Sequence, residues 1–144
     1  MAVICSGAGS DLVRLCYGST TLVNVTYNAD SPKTDKGVVT LSGDAQNITN
    51  YMANGILQFD LFVCDYAANK DGLVVKMEGP ESGGLDYLLS GITEGKWTTV
   101  SVPVNKLVTD KIIKNVTKPF VILPAWENSQ AGVAFSFKNV RLIK

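Results

Sequence analysis

The ten residues ILQFDLFVCD, from Ile56 to Asp65, alternate without interruption: Leu57, Phe59, Leu61 and Val63 are apolar, and Gln58, Asp60, Phe62 and Cys64 fall between them. Side chains two apart on an extended chain share a face, so the stretch reads as a β-strand with two unlike sides. One side is continuously apolar and belongs against a core. The other carries an amide, a carboxylate and an aromatic ring.

The segments on either side read the same way. Strands are expected at Val3 to Cys5, Leu12 to Tyr17, Thr21 to Tyr27, Gly37 to Ser42, Leu73 to Glu78, Trp97 to Val104, Phe120 to Ala125 and Val133 to Ile143, all rich in β-branched and aromatic residues. Between them, Gly7-Ala8-Gly9-Ser10, Asn28 to Pro32, Asn69-Lys70-Asp71-Gly72, Gly79-Pro80 and Ser82-Gly83-Gly84 supply the residues that reverse a chain. Only Asn105 to Asp110 reads as a helical turn, and no repeat or low-complexity linker divides the chain. About nine strands in a single domain, residues 1–144, imply an all-β fold: a β-sandwich of the jelly-roll type, built from two antiparallel sheets. A chain of 144 residues buries about two-thirds of its unfolded surface without help from metals or disulfides.

Thirteen basic and 13 acidic residues cancel, so no net field gathers phosphates or anionic lipid, and neither nucleic acid nor a membrane surface is an expected partner. The apolar runs fall short of the roughly 20 residues that span a bilayer. The N-terminus lacks the basic n-region of a signal peptide, and Met1-Ala2 reads as the start of an excised piece. Cys5, Cys16 and Cys64 lack the paired spacing of a zinc site, and no histidine is present to complete one. Cys5 and Cys16 could meet if the first two strands form a hairpin, which leaves one thiol free. The sequons at Asn24, Asn47 and Asn115 are read as products of a Thr- and Asn-rich composition rather than as glycan acceptors.

Alternation assigns the interior before any function is considered. Leu57, Phe59, Leu61 and Val63 are expected to pack with Leu73, Val75, Met77, Val102, Val104, Phe120, Ile122, Phe135 and Phe137. The outward face then collects Gln58, Asp60, Phe62, Lys76 and Glu78, and if the two strands are adjacent, Asp60 with Lys76 or Gln58 with Glu78 lie about 5 Å apart across them. An aromatic among hydrogen-bonding groups suits a sugar, whose pyranose face offers C–H groups to a ring while its hydroxyls need donors and acceptors.

The tryptophans are assigned different roles. Trp97, if a bulge near Thr99 and Val100 brings it into register with Val102 and Val104, lids the core. Trp126 runs into the polar loop Glu127-Asn128-Ser129-Gln130, where an indole beside amide and carboxylate groups makes it the strongest single ligand-binding candidate, with Glu127 and Asn128 beside it. Tyr66 and Tyr87 border loops near the outward face, and Tyr66 is carried as a further candidate. Tyr51 lies in a turn that crosses the end of the sandwich and is expected to pack.

NITNYMANGILQFDLFV, LVVKMEGPESGGLDYLL, GKWTTVSVPVNKLV, KPFVILPA and AFSFKNVRLIK follow one another in an order that resembles the galactose-binding-like jelly rolls, over roughly Gly37 to Lys144. The pattern is most similar to the non-catalytic sandwich appended to bacterial polysaccharide-degrading enzymes, notably the C-terminal domain of family 3 exo-β-glucosidases and related carbohydrate-binding modules. That resemblance implies binding of a plant or algal polysaccharide or oligosaccharide of β-glucan or hemicellulose type, a covalently attached catalytic domain as partner, and an extracellular or cell-surface location as part of a larger secreted enzyme. Many such modules end in F-x-I-D-N-V, whose aspartate helps hold a structural calcium, whereas this chain has Lys138. An ammonium adds repulsion where calcium needs six to eight oxygens, so no metal or other cofactor is expected; Lys138 could fill the role by bonding backbone carbonyls.

Catalysis is the weaker reading. Without histidine, imidazole-activated nucleophiles are excluded, and neither Gly-x-Ser-x-Gly nor a phosphate-binding glycine loop occurs. Carboxylate-pair glycoside hydrolysis survives on paper through Asp60, Glu78, Glu81, Asp86, Glu94 and Glu127, but it needs a cleft that raises one carboxyl pKa. The remaining alternative is a structural sandwich that packs on a parent glycosidase without binding sugar itself.

Overall fold

The computed structural model describes residues 2–6, 13–17, 22–27 and 37–144, and the side chains of 22–27 and 37–144. Ten strands are formed among them: β1 (Ala2–Ser6), β2 (Val13–Tyr17), β3 (Val23–Tyr27), β4 (Val38–Ser42), β5 (Ile56–Asp65), β6 (Leu73–Glu78), β7 (Tyr87–Leu89), β8 (Trp97–Pro103), β9 (Lys118–Pro124) and β10 (Ala134–Ile143). They pair antiparallel in two five-stranded sheets, ordered β1-β4-β9-β6-β7 and β2-β3-β10-β5-β8, here called the first and second sheet. The result is the expected jelly-roll sandwich.

The interior follows from the period of two. From the second sheet come Leu57, Phe59, Leu61, Val63, Val102, Phe135 and Phe137, and from the first Leu73, Val75, Met77, Phe120 and Ile122, each no more than 1% exposed. Phe59 meets Phe120 edge to face across the layers, ring centroids 4.9 Å apart, and Phe120 meets Phe137 at 5.0 Å, the offset geometries that aromatic quadrupoles favour. One end of the sandwich is plugged by buried Val104, Leu107, Val108, Ile112, Ile113 and Val116. The expected helical turn at Asn105 to Asp110 is a single 3-10 turn over Val104–Lys106, followed by further turns.

Three expectations need correction. β7, three residues long, is missing from the sequence reading because Tyr-Leu-Leu is too short to display a period. β5 and β6 are not neighbours but lie in opposite sheets, so Lys76 and Glu78 cannot pair across strands with Asp60 and Gln58. β1 and β2 form no hairpin: β1 pairs with β4 and β2 with β3, so the premise for joining Cys5 and Cys16 is absent. The side chains of Cys5 and Cys16, and the turns at Gly7 to Ser10 and Asn28 to Pro32, lie outside the described residues.

Candidate functional site

The outer face of the second sheet is assembled from three adjacent strands. Pairing sets Phe62 opposite Trp97, Asp60 opposite Thr99 and Gln58 opposite Ser101 on β8, and Asp60 opposite Lys138 and Gln58 opposite Arg141 on β10. Lys138 and Arg141 are three residues apart, which on a regular strand would send them to opposite faces. A bulge between them, with Asn139 in the left-handed region at φ 56°, inserts one residue and turns both outward. Asparagine is among the few non-glycine residues that tolerate that conformation.

Hydrogen bonds tie this face into a platform. Thr99 Oγ1 donates to Asp60 Oδ1 at 2.9 Å and Asn139 Nδ2 to Asp60 Oδ2 at 2.8 Å. The Asn139 bond lowers the Asp60 carboxyl below its ordinary range, against an opposing contribution from desolvation, with Thr99 and the charges of Arg141 and Lys138 adding to the lowering. Gln58 Nε2 donates to Ser101 Oγ at 3.0 Å, while its Oε1 accepts from Arg141 Nη2. At the far end Ser136 Oγ donates to Asn24 Oδ1. Trp97, 43% exposed, leans on Phe62 with ring centroids 5.5 Å apart, and Lys138 Nζ lies 4.2 Å above the indole centroid.

Trp97 therefore does not lid the core. The β5–β8 register runs without a shift from Ile56–Pro103 to Phe62–Trp97, so the bulge expected near Thr99 and Val100 is absent. By simple alternation Trp97 shares the face of Thr99 and Ser101, opposite to that of Val100 and Val102. Lys138 likewise bonds no backbone carbonyl among the described residues; its ammonium sits over the Trp97 ring.

The outer face of the first sheet is built differently. Val74, Val121, Leu123 and Ala125 form a second, small buried cluster on which Val38 and Trp126 pack. Trp126 is half-buried, and its Nε1 donates to Asp86 Oδ2 at 3.1 Å. Lys76 Nζ lies 3.3 Å from Asp86 Oδ1 and 3.4 Å from Glu78 Oε1, and Lys118 Nζ 2.9 Å from Glu78 Oε2. Asn128 Nδ2 reaches Asp71 Oδ2 at 2.5 Å, and Glu127 is exposed in the same loop.

The candidates from sequence thus divide between two surfaces. Gln58, Asp60 and Phe62 stand on the second sheet's platform; Lys76, Glu78 and Trp126 stand on the first sheet's outer side, with Glu127 and Asn128 in the loop that follows Trp126. Tyr66 belongs to neither: its hydroxyl donates to Ile92 O at 2.8 Å, and it lines an end cleft of about 510 Å³ with Asn69, Asp71, Gly72 and Ser90. Burial, reinforced by the Glu94 charge, raises the Tyr66 phenol pKa. Tyr51 and Tyr87 pack against the core. Trp97, Thr99, Ser101, Lys138, Asn139 and Arg141 are the platform residues that the sequence reading missed. Strict alternation through WTTVSVP would have found the first three, and alternation from Phe135 and Phe137 would have found Lys138; the bulge at Asn139 hid Asn139 and Arg141. Among the described residues no three His, Cys, Asp or Glu side chains converge as a metal site.

No protein-family model matches the sequence, and no curated protein matches it. Among solved structures the fold is similar to the family 30 carbohydrate-binding module of the cellulosomal cellulase Cel9D-Cel44B of Clostridium thermocellum, with TM-score 0.69 and 12% identity over 97% of this chain and 86% of that one. It is also similar to the family 11 carbohydrate-binding module of Clostridium thermocellum, in complex with a β-1,3-1,4-mixed-linked tetrasaccharide: TM-score 0.57 and 13% identity over 99% and 84%. The exo-1,3/1,4-β-glucanase of a Pseudoalteromonas species matches with TM-score 0.59 and 15% identity over 99% of this chain but 15% of the enzyme. At these identities the likeness is one of fold.

Proposed function

We propose that this chain is a non-catalytic module that binds a polysaccharide of β-glucan or hemicellulose type on the outer face of its second sheet, and that it serves a secreted glycoside hydrolase to which it is attached. The observation that carries the reading is Trp97: an indole 43% exposed, braced by Phe62, on a sheet face where Gln58, Asp60, Thr99, Ser101, Asn139 and Arg141 are linked by hydrogen bonds. A pyranose laid on that ring has Thr99 and Asp60 in the next outward row, and Gln58 and Ser101 in the row beyond face the following sugar of a chain laid along the strands. The binding modules of similar fold support the reading.

Affinity is modest on this account. One or two ring contacts contribute about 0.5–1.5 kcal/mol each beyond area burial, and each hydrogen bond about 1 kcal/mol net. A total near 4–8 kcal/mol corresponds to dissociation constants from about millimolar to micromolar. Attachment to a hydrolase makes such weak binding useful, because it raises the enzyme's local concentration on its substrate. A binding role also suits Asp60: its lowered carboxyl pKa is opposite to what a general acid in glycoside hydrolysis requires.

Affinity electrophoresis in gels containing β-glucan, xylan or mannan tests the reading. Retardation that disappears in Trp97→Ala, with an unchanged melting profile, is expected; release of new reducing ends would instead make the chain an enzyme. A second reading, a sandwich that packs on a parent glycosidase, draws on Leu85 and Leu88, 46% and 49% exposed in and beside β7. It requires that the isolated chain retain no glycan at all.

A further inference from the structure

The hydrogen-bonding capacity left over on the platform is unbalanced. Both Asp60 oxygens already accept, one from Thr99 and one from Asn139, and Gln58 Oε1 accepts from Arg141. The donors are less used. Arg141 spends one N–H on Gln58 and one on Asn139 O at 2.5 Å, leaving about three of the five N–H groups of a guanidinium. Among the described residues Lys138 makes no hydrogen bond or ion pair, and its ammonium rests on the Trp97 ring. Neither cation has a described carboxylate within 4.0 Å, whereas Lys76 and Lys118 on the other sheet are both ion-paired. The face around Asp60 therefore holds two cations against one carboxylate whose oxygens are already bonded, with the Lys138 ammonium placed on the indole.

The position of Lys138 adds a second argument. Its ammonium covers part of the ring on which a sugar would stack, and a cation held over an indole is itself attracted to it. A neutral sugar displaces that ammonium and offers it only hydroxyls. A sugar carrying a carboxylate offers it an ion pair at the moment it leaves the ring.

We propose that the platform selects an anionic glycan bearing hexuronate residues, with a ring stacked on Trp97, a carboxylate held by Lys138, and Arg141, beside Gln58 two rows from the ring, as donor to the next residues of the chain. This rests on the reading of the platform as a glycan site and narrows its ligand. The selectivity is local to the platform, since the chain as a whole carries no net charge and has no general attraction for polyanions.

The test uses the full chain and matched probes: glucuronoxylan and polygalacturonate, each native and with its carboxyls reduced to hydroxymethyl groups, titrated calorimetrically. At least one native polymer should bind about tenfold more tightly than its reduced form, as a charge-assisted bond implies. That advantage should fade as salt approaches about 1 M, where screening reaches about 3 Å. Lys138→Met, which keeps the stem and removes the charge, should cut the native-to-reduced affinity ratio by most of that factor. Equal binding of native and reduced forms overturns the proposal, as does a ratio untouched by Lys138→Met; the wild-type salt dependence serves if that variant misfolds. Should the reduced polymers bind as well as the native ones while Trp97→Ala still abolishes binding, the glycan-site reading stands and only the anionic selectivity falls. Should no native, reduced or neutral glycan bind, both fall together.

Discussion

Trp126 and Trp97 mark opposite outer faces of the sandwich, and their surroundings differ in kind. Trp126 lies half-buried on an apolar cluster, its N–H on Asp86, which meets Lys76, which meets Glu78, which meets Lys118. Every charge in that row has an opposite partner. Trp97 stands 43% exposed beside Phe62, under the ammonium of Lys138, which has no carboxylate within ion-pair distance among the described residues. A surface whose polar groups satisfy one another gains little from a ligand, since each new bond replaces an existing one. A surface with an open ring and spare donors has something to gain. Residue type alone does not separate the two faces, because each presents a tryptophan, at least one lysine and at least one carboxylate.

The sharpest attempt to break this contrast exchanges the tryptophans' expected behaviour. Trp97→Ala should weaken glycan binding by about 2–3 kcal/mol, roughly 30- to 150-fold in calorimetry, from the lost stacking and apolar contact. Its stability in urea should fall by no more than about 1 kcal/mol. Trp126→Ala should do the reverse, costing about 2 kcal/mol of stability through lost packing and the freed Asp86, with binding unaltered. Loss of binding in Trp126→Ala with Trp97→Ala silent would move the site to the first sheet.

A smaller effect is expected at Asp60. Folding lowers its carboxyl pKa from the ordinary 3.8, so the stabilisation is complete at neutral pH and is lost as pH falls through the lowered value. Urea denaturation followed from mildly acidic to strongly acidic pH should therefore show a shallower acid loss in Asp60→Asn than in the parent chain. The smallest effect belongs to the first sheet's ion pairs. Lys76→Met should change stability by at most about 1 kcal/mol, and less in high salt, since partly exposed pairs are screened. A larger loss would mean that this row of charges anchors Trp126 rather than merely covering it.

Much of the fold was legible because burial imposes a period. β5 and β6 were read to the residue, and all of the core residues assigned from alternation are buried. β7 was too short to show a pattern. The site was legible only in part. Gln58, Asp60 and Phe62 could be read as outward, but nothing local says which other strand shares their surface. Grouping β5 with β6 was reasonable from chain order, and the hydrogen-bonded neighbours are β8 and β10 instead. Trp97 was misassigned by postulating a bulge where the strand is regular, and Arg141 was overlooked because a real bulge, at Asn139, reverses the alternation in FKNVRL.

By itself the sequence determined which residues are apolar at every second position, and hence that the chain buries them between two sheets. That information is local, carried by the geometry of a single extended strand. Only the tertiary structure decided which polar rows became neighbours, which tryptophan was left open and which cations kept unused donors. Those outcomes depend on strand order and on one inserted residue, and both are settled by contacts between segments far apart in the chain.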